Sequence, residues 1–241
     1  MEKRYFFISD IHLGLQEKEK EKAKEKLLVR FLEFAGQNCD ELFIVGDLYD
    51  YWFDYKWVYQ KGNFRTLTSL QDLTDNGVKI NYFMGNHEFM RADFFTDELG
   101  INMFVNPDEF ILNGKKFFIG HGDGLVKNDY GYLILKKILR NGFIQKTYSM
   151  LHPDWGVGLA KIVSRKSRNY TSNKDYGEVD GLFETAKEKI SAGFDYVLFG
   201  HVHKRSYENY DGGYYINLGS WLEAPCYGKF TGTKFEIVDW N

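Results

Sequence analysis

"YFMGNHEFM", residues 82–90, decides how this chain is read. Tyr82, Phe83 and Met84 end an apolar run; a glycine follows, then three polar side chains, Asn86, His87 and Glu88. A short continuous apolar run suits a strand covered on both faces. The same junction occurs at four other places. "YFFIS" (5–9) leads to Asp10 and His12, and "LFIVG" (42–46) leads to Asp47 and Asp50. "FFIG" (117–120) leads to His121 and Asp123, and "YVLFG" (196–200) leads to His201 and His203. Each run delivers its polar residues at its C-terminal end, where open α/β sheets bind ligands.

Five of the six histidines lie in these clusters, and only His152 lies elsewhere. A lone histidine beside a strand is more often structural than a ligand. Five at equivalent strand ends, beside Asp and Asn, point to metal. Imidazole, carboxylate and amide oxygen together suit Mn²⁺, Fe²⁺, Co²⁺ or Zn²⁺. No thiol takes part, which argues against a structural zinc site. The set is large enough for two ions, and a shared carboxylate would hold them roughly 3.5–4 Å apart. Glycines 46, 85, 120 and 200 are expected to allow tight turns and close approach of substrate.

The remaining sequence frames this site. Helical patterns cover 17–35 and 67–77, the second ending at Asn76-Gly77. Glu and Lys dominate the start of the first, which reads as a solvated helical face. Strand and helix alternate early, as in an α/β sheet. Asn-Gly within 108–120 and Asp-Gly-Gly within 205–220 mark hairpins, so a mixed sheet or two packed sheets are expected. Residues 125–174 read as helices with no clear strand. They hold ten Lys/Arg against two acids, a net +8 in a chain of net −3, which leaves −11 for the remainder. This divides the chain into a core, 1–124 and 175–241, and an inserted basic helical cap, 125–174.

Composition excludes several classes. With 241 residues, 44% of them hydrophobic, the chain can bury a large core. A net charge of −3 argues against general nucleic-acid binding. Cys39 and Cys226 stand far apart with no CxxC, so a reducing cytoplasm is expected rather than a disulfide scaffold. The first apolar run is too short for a signal peptide, and no window approaches the roughly 18 to 20 apolar residues of a membrane span. A soluble protein, or one attached to a membrane surface, is expected.

The blocks Asp10-x-His12, Gly46-Asp47-x-x-Asp50, Gly85-Asn86-His87-Glu88, Gly120-His121 and Gly200-His201-x-His203 resemble the calcineurin-like metallophosphoesterases, in that family's order. The resemblance implies a four-layer αββα sandwich with a dinuclear site at its edge and a helical cap insertion. It implies that Asp10, His12, Asp47 and His203 hold one metal, and that Asp47, Asn86, His121 and His201 hold the other. Asn86 and His87 would face the substrate phosphate, with His87 assisting catalysis as an acid. Glu88 is expected to orient His87 or to cap the next helix.

A narrower resemblance lies in "FISDIHLG", "GDLYDYWFDYK", "GNHEF", "HGDGLVKND" and the basic insertion. These look like the UDP-2,3-diacylglucosamine pyrophosphohydrolases of lipid A synthesis. Trp52 and the "HGDGL" extension are its most specific parts. The resemblance implies attack of water at the α-phosphorus, release of UMP and the lipid 1-phosphate, and Mn²⁺ as cofactor. It also implies a glycolipid nucleotide substrate met at an anionic membrane surface, the cytoplasmic face of the inner membrane. Asp129, Ser167, Thr171 and Lys174 match cap positions near the substrate. Leu133, Ile134, Leu135, Ile138, Leu139, Phe143 and Ile144 could line an acyl groove. Lys136, Lys137, Arg140, Arg165, Lys166 and Arg168 could meet phosphates. His87 departs from the pattern, because many members of that family carry Arg in a "GNRDF" block. Two other readings stand beside this one: a soluble metallophosphoesterase for another nucleotide or sugar phosphoester, and a non-catalytic binding protein on the same scaffold.

Overall fold

The apolar runs form strands because both of their faces are buried. In the computed structural model, which describes residues 2–88, 93–125, 130–160 and 181–241, successive side chains of each run enter different cores. In β1 (Arg4–Ile8), Phe6 and Ile8 point one way, and Tyr5 and Phe7 the other. The same split recurs in β2 (Glu41–Ile44), β3 (Lys79–Phe83), β6 (Lys115–Ile119) and β7 (Tyr196–Phe199).

Two mixed sheets result. The first adds β4 (Asn102–Phe104), β10 (Cys226–Thr231) and β11 (Lys234–Asp239), in the order β11-β10-β1-β2-β3-β4. The second adds β5 (Asp108–Leu112), β8 (Ser206–Tyr210) and β9 (Gly213–Asn217), in the order β5-β6-β7-β9-β8. Strands β1 to β4 run parallel, as do β6, β7 and β9. The sheets pack face to face through Phe7, Phe43, Phe83, Phe117 and Leu198. Helices α1 (Lys18–Asn38) and α2 (Phe64–Asp75) cover the outer face of the first sheet through Phe31, Leu32, Leu67 and Leu70. Leu182, Ala186 and Ile190 of α7 (Gly181–Ser191) cover the outer face of the second. The four-layer αββα order is therefore the one that the family resemblance implies.

Both expected hairpins form. Asn113-Gly114 joins β5 to β6 and Asp211-Gly212 joins β8 to β9, with positive φ at all four residues. The β10–β11 hairpin lies outside the sequence reading. Short α3 (Asp93–Asp97) follows the third cluster. Between β6 and α7 the regular elements among the described residues are helices: α4 (Tyr130–Leu139), α5 (Gly142–Tyr148) and α6 (153–160). The long apolar pattern from 131 to 151 breaks at Asn141, whose side chain accepts from the N–H groups of Phe143 and Ile144 and caps α5. Cys39 and Cys226 are free and buried. Trp52 packs on Tyr49 and Phe95, so its part in the motif is structural.

Candidate metal centre

Five strands end on one side of the molecule. From the first sheet, β1 carries Asp10 and His12, β2 carries Asp47, and β3 carries Asn86 and His87. From the second, β6 carries His121, and β7 carries His201 and His203. The loops after β1 and β2 are zipped together: Asp10 N–H donates to Gly46 O at 3.1 Å, and His12 N–H to Asp47 O at 2.9 Å. Asp10, His12, Asp47, His201 and His203 all have φ between 50° and 73°. Left-handed backbone at non-glycine residues costs of order 1–3 kcal/mol each and concentrates at functional sites.

The glycines explain how the ligands fit. A Cβ on Gly46 would overlap the His121 ring, one on Gly85 the Asp47 carboxylate, and one on Gly200 the Asp10 carboxylate. Gly120 instead meets Pro107. The first three are small to make room for ligand side chains rather than for substrate, and of these only Gly46 needs a positive φ.

The predicted atoms converge. Asp10 with His12 and His203, His12 with Asp47 and His87, and Asp10 with Asp47 and His121 each bring ligand atoms within 4.8 Å of one another. The Nε2 atoms of His12 and His203 face each other at 3.0 Å. His121 Nε2 lies 3.2 Å from Asp47 Oδ2 and 3.1 Å from Asn86 Oδ1. His201 Nδ1 lies 2.9 Å from the same Asn86 oxygen. This chemistry fits cations, because buried carboxylate oxygens, an amide oxygen and imidazole nitrogens aim electron pairs inward. Asp47 stands between both halves, so Asp10, His12, Asp47 and His203 could hold one divalent ion, and Asp47, Asn86, His121 and His201 a second. Asp129, Ser167, Thr171 and Lys174 lie outside the described residues.

Protonation favours ligand-ready forms at most of these groups. Burial raises the Asp10 carboxyl, but the His203 hydrogen bond and the His121 charge outweigh it and hold it below its usual range. Burial acts likewise on Asp47, where His121 and His87 hold the carboxyl well below that range. Burial pushes His12 down to about 3, and burial followed by His121 pushes His201 down to about 4. His121 goes the other way: burial lowers it, but Asp47 and then Asp10 raise it to about 10.

Several supporting residues escape a motif reading. Glu88 neither orients His87 nor caps a described helix. It turns inward and accepts the N–H groups of Asp47 at 3.1 Å, Tyr49 at 2.8 Å and Gly85 at 3.3 Å, together with the Tyr82 hydroxyl. Burial, then Asp47, pushes its carboxyl up to about 8 against these donors. Asn217 at the end of β9 donates to Gly200 O at 2.6 Å and accepts from Gly219 N–H at 3.0 Å. "YYINLGS" shows the same strand-end pattern, so that residue was within reach of the sequence. Asp123 holds Lys136 of α4 at 2.5 Å, and Arg140 donates to Val105 O at 3.1 Å. Two cations offered as phosphate contacts therefore bind the helix to the core.

A family profile described as calcineurin-like phosphoesterase matches residues 3–205. The chain belongs to that family. It is 30% identical to a protein named UDP-2,3-diacylglucosamine hydrolase from Porphyromonas gingivalis, over 98% of this chain and 97% of that one. A protein of the same name from Neisseria meningitidis serogroup B is 31% identical over 90% of this chain and 89% of its own length. A third from Nitrosococcus oceani is 30% identical over 97% of this chain and 94% of its own. The fold, the assembled site and the family agree on a metal-dependent phosphoesterase.

The His121 proton gives a pH signature. A cation that takes the His121 electron pair must displace a proton held with a pKa of about 10. Adding a divalent metal to metal-free protein at pH 7 in weak buffer should release protons. Apparent affinity should rise with pH until that proton is gone. An indicator dye reads the release; metal uptake without it would contradict a His121 that carries its second proton at pH 7 before the ion arrives.

Proposed function

We propose that this chain hydrolyses the diphosphate of UDP-2,3-diacylglucosamine to UMP and the lipid monosaccharide 1-phosphate, with Mn²⁺ as its working ion. The observation that carries this reading is the end-to-end match, over 98% of this chain, to a relative named for that substrate. Fold alone does not choose a phosphoester. The inserted segment adds chemical support: residues 125–174 act as a cap over a core of 1–124 and 175–241. Its described helices expose Leu133, Ile134, Ile138 and Phe143, which suits acyl chains. Leu139 instead packs with Tyr51 and Phe53, where the cap is anchored. Asp129, Ser167, Thr171 and Lys174 would give the sugar and phosphate contacts.

Asp10, His12, Asp47 and His203 would hold one ion, and Asp47, Asn86, His121 and His201 the other. Bound there, the ions supply Lewis acidity that offsets phosphate charge and lowers the pKa of water toward neutrality. His87 handles the leaving group. Its Nδ1–H donates to the Asp50 carbonyl oxygen at 2.9 Å, and the Asp50 carboxylate lies 3.4 Å away. That contact keeps the hydrogen on Nδ1, so the doubly protonated ring would present its Nε2–H to the departing phosphate oxygen and be left as the neutral Nδ1–H tautomer. His87 N–H also donates to Asp47 Oδ1 at 3.0 Å, so acid and bridging carboxylate keep a fixed relation. The "GNHEF" block favours a second reading, a soluble metallophosphoesterase acting on another nucleotide or sugar phosphoester.

The substrate is an amphiphile, so the enzyme works at the cytoplasmic surface of a membrane without spanning it. No helix among the described residues is long and apolar enough to cross one. The stretch from the loop after β2 into the start of α2 suits surface attachment: Trp57 is 84% exposed, Val58, Tyr59 and Phe64 are also exposed, and Lys56, Lys61 and Arg65 are interleaved with them in sequence, with no acid from 55 to 71. Val58, Tyr59 and Gln60 of this stretch line one small cavity together with Pro153 and Val157 of the cap.

Two experiments test these claims. Incubation with UDP-2,3-diacylglucosamine and Mn²⁺ in ¹⁸O-labelled water should give UMP carrying the label. Label in the lipid phosphate would move the attack to the β-phosphorus, and turnover of only water-soluble esters would favour the second reading. In flotation, the protein should rise with anionic phospholipid vesicles and less so in high salt. Trp57→Ala combined with Tyr59→Ala should weaken that binding severalfold; unchanged flotation would remove the loop from the membrane contact.

A further inference from the structure

Lys24 is out of place for a lysine. It belongs to the Glu/Lys run of α1, whose neighbours mostly face solvent, yet it is only 7% exposed. Long basic side chains normally carry their charge out to water. This one turns inward, and its Nζ donates to the carbonyl oxygen of His12 at 2.6 Å. Burying an ammonium is expensive unless it is paired and hydrogen-bonded. Its counter-ion is Glu21, one turn earlier on the helix, at 3.3 Å. The same Glu21 oxygen accepts the N–H of Gln16 at 2.9 Å. One buried ion pair therefore clamps both ends of the segment from His12 to Gln16.

His12 needs outside support for two reasons. Its φ of 50° is a left-handed conformation that a non-glycine residue keeps only when its surroundings impose it. Its ring also lacks the usual brace. A metal-bound histidine almost always donates its second ring nitrogen to a partner, which fixes the ring's direction. Nε2 of His12 faces the cluster, while Nδ1 is buried with no hydrogen-bond partner among the described residues. The nearest carboxylate, Asp50, is 3.8 Å from it. With no hydrogen bond at Nδ1, the ring's direction rests on its backbone and on edge packing against the His87 and His203 rings. His12 N–H is held by Asp47 O at 2.9 Å; its carbonyl is held by Leu15 N–H at 3.3 Å and more closely by Lys24.

We propose that Lys24 is a positioning residue for the ion bound through His12, orienting this ligand by its carbonyl where no hydrogen bond at Nδ1 does so. The proposal rests on the metal-centre reading above. Charge alone makes the opposite prediction. An ammonium beside a cation site repels the ion, so removing it would tighten binding. Positioning requires that removing it loosen binding, chiefly at one site, because His201, His121 and Asn86 are linked to one another rather than to this segment, and the shared Asp47 is hydrogen-bonded to it through its backbone carbonyl rather than its carboxylate.

The test is a Co²⁺ titration of the metal-free protein, followed by its visible absorption and independent of turnover. The unmodified protein should take up two ions. Lys24→Met, which keeps the apolar stem, should bind one of them about 10–100-fold more weakly and the other little changed. Lys24→Arg, which can still donate to the carbonyl, should recover most of the loss. Two ions bound by Lys24→Met with equal or greater affinity would overturn the proposal and leave the metal centre standing. Failure of the unmodified protein to bind two ions would remove both. Near-ultraviolet circular dichroism reports whether Lys24→Met folds. Should it not, Glu21→Gln replaces it, with a smaller loss expected at the same single site and no loss overturning the proposal.

Discussion

Two ionised carboxylates, Asp10 and Asp47, lie almost wholly out of water at the meeting point of two sheets. A buried charge carries an effective penalty of several kcal/mol, so it survives only where opposite charge and donors surround it. Asp10 receives the His201 N–H at 3.2 Å and the His203 ring at 3.3 Å. Asp47 receives the His87 N–H and the His121 ring. These contacts reduce the penalty but leave electron pairs pointing at one another. A pair of divalent ions would complete the arrangement, and the stability and chemistry of the site would then have one origin.

The fold supplies what that arrangement needs. Parallel strands carry their C-terminal ends to one side, and packing two such sheets face to face lets five ends meet. The loops then take strained backbone at five ligand positions, held by their own cross-links. Glu88 fastens the Asp47 loop to the Asn86 loop, and Asn217 fastens the His201 loop to the turn after β9. On the outside, Lys136 and Arg140 tie a cap helix to the same framework.

Much of this was legible in the sequence. The strand ends, the hairpins and the candidate ligands follow from local signals: apolar runs, Asn-Gly or Asp-Gly turns, and polar clusters after glycine. What stayed hidden depends on distant partners. Glu88 looked like a local cap because its partners, Asp47 and Tyr49, are about forty residues away. Lys24 looked solvated because the run around it is uniformly charged. The glycine positions were visible, but their reason was not, since the groups that would meet a Cβ come from other loops. The break at Asn141 was the reverse case, a local cap signal masked by the apolar pattern running through it.

The central claim is that Asp47 bridges two ions. The direct measurement is anomalous diffraction from crystals grown with Mn²⁺. The account predicts two peaks roughly 3.5–4 Å apart, with the Asp47 carboxylate between them, His12 and His203 beside one, and His121 and His201 beside the other. A single peak, or two peaks that do not share Asp47, would contradict it.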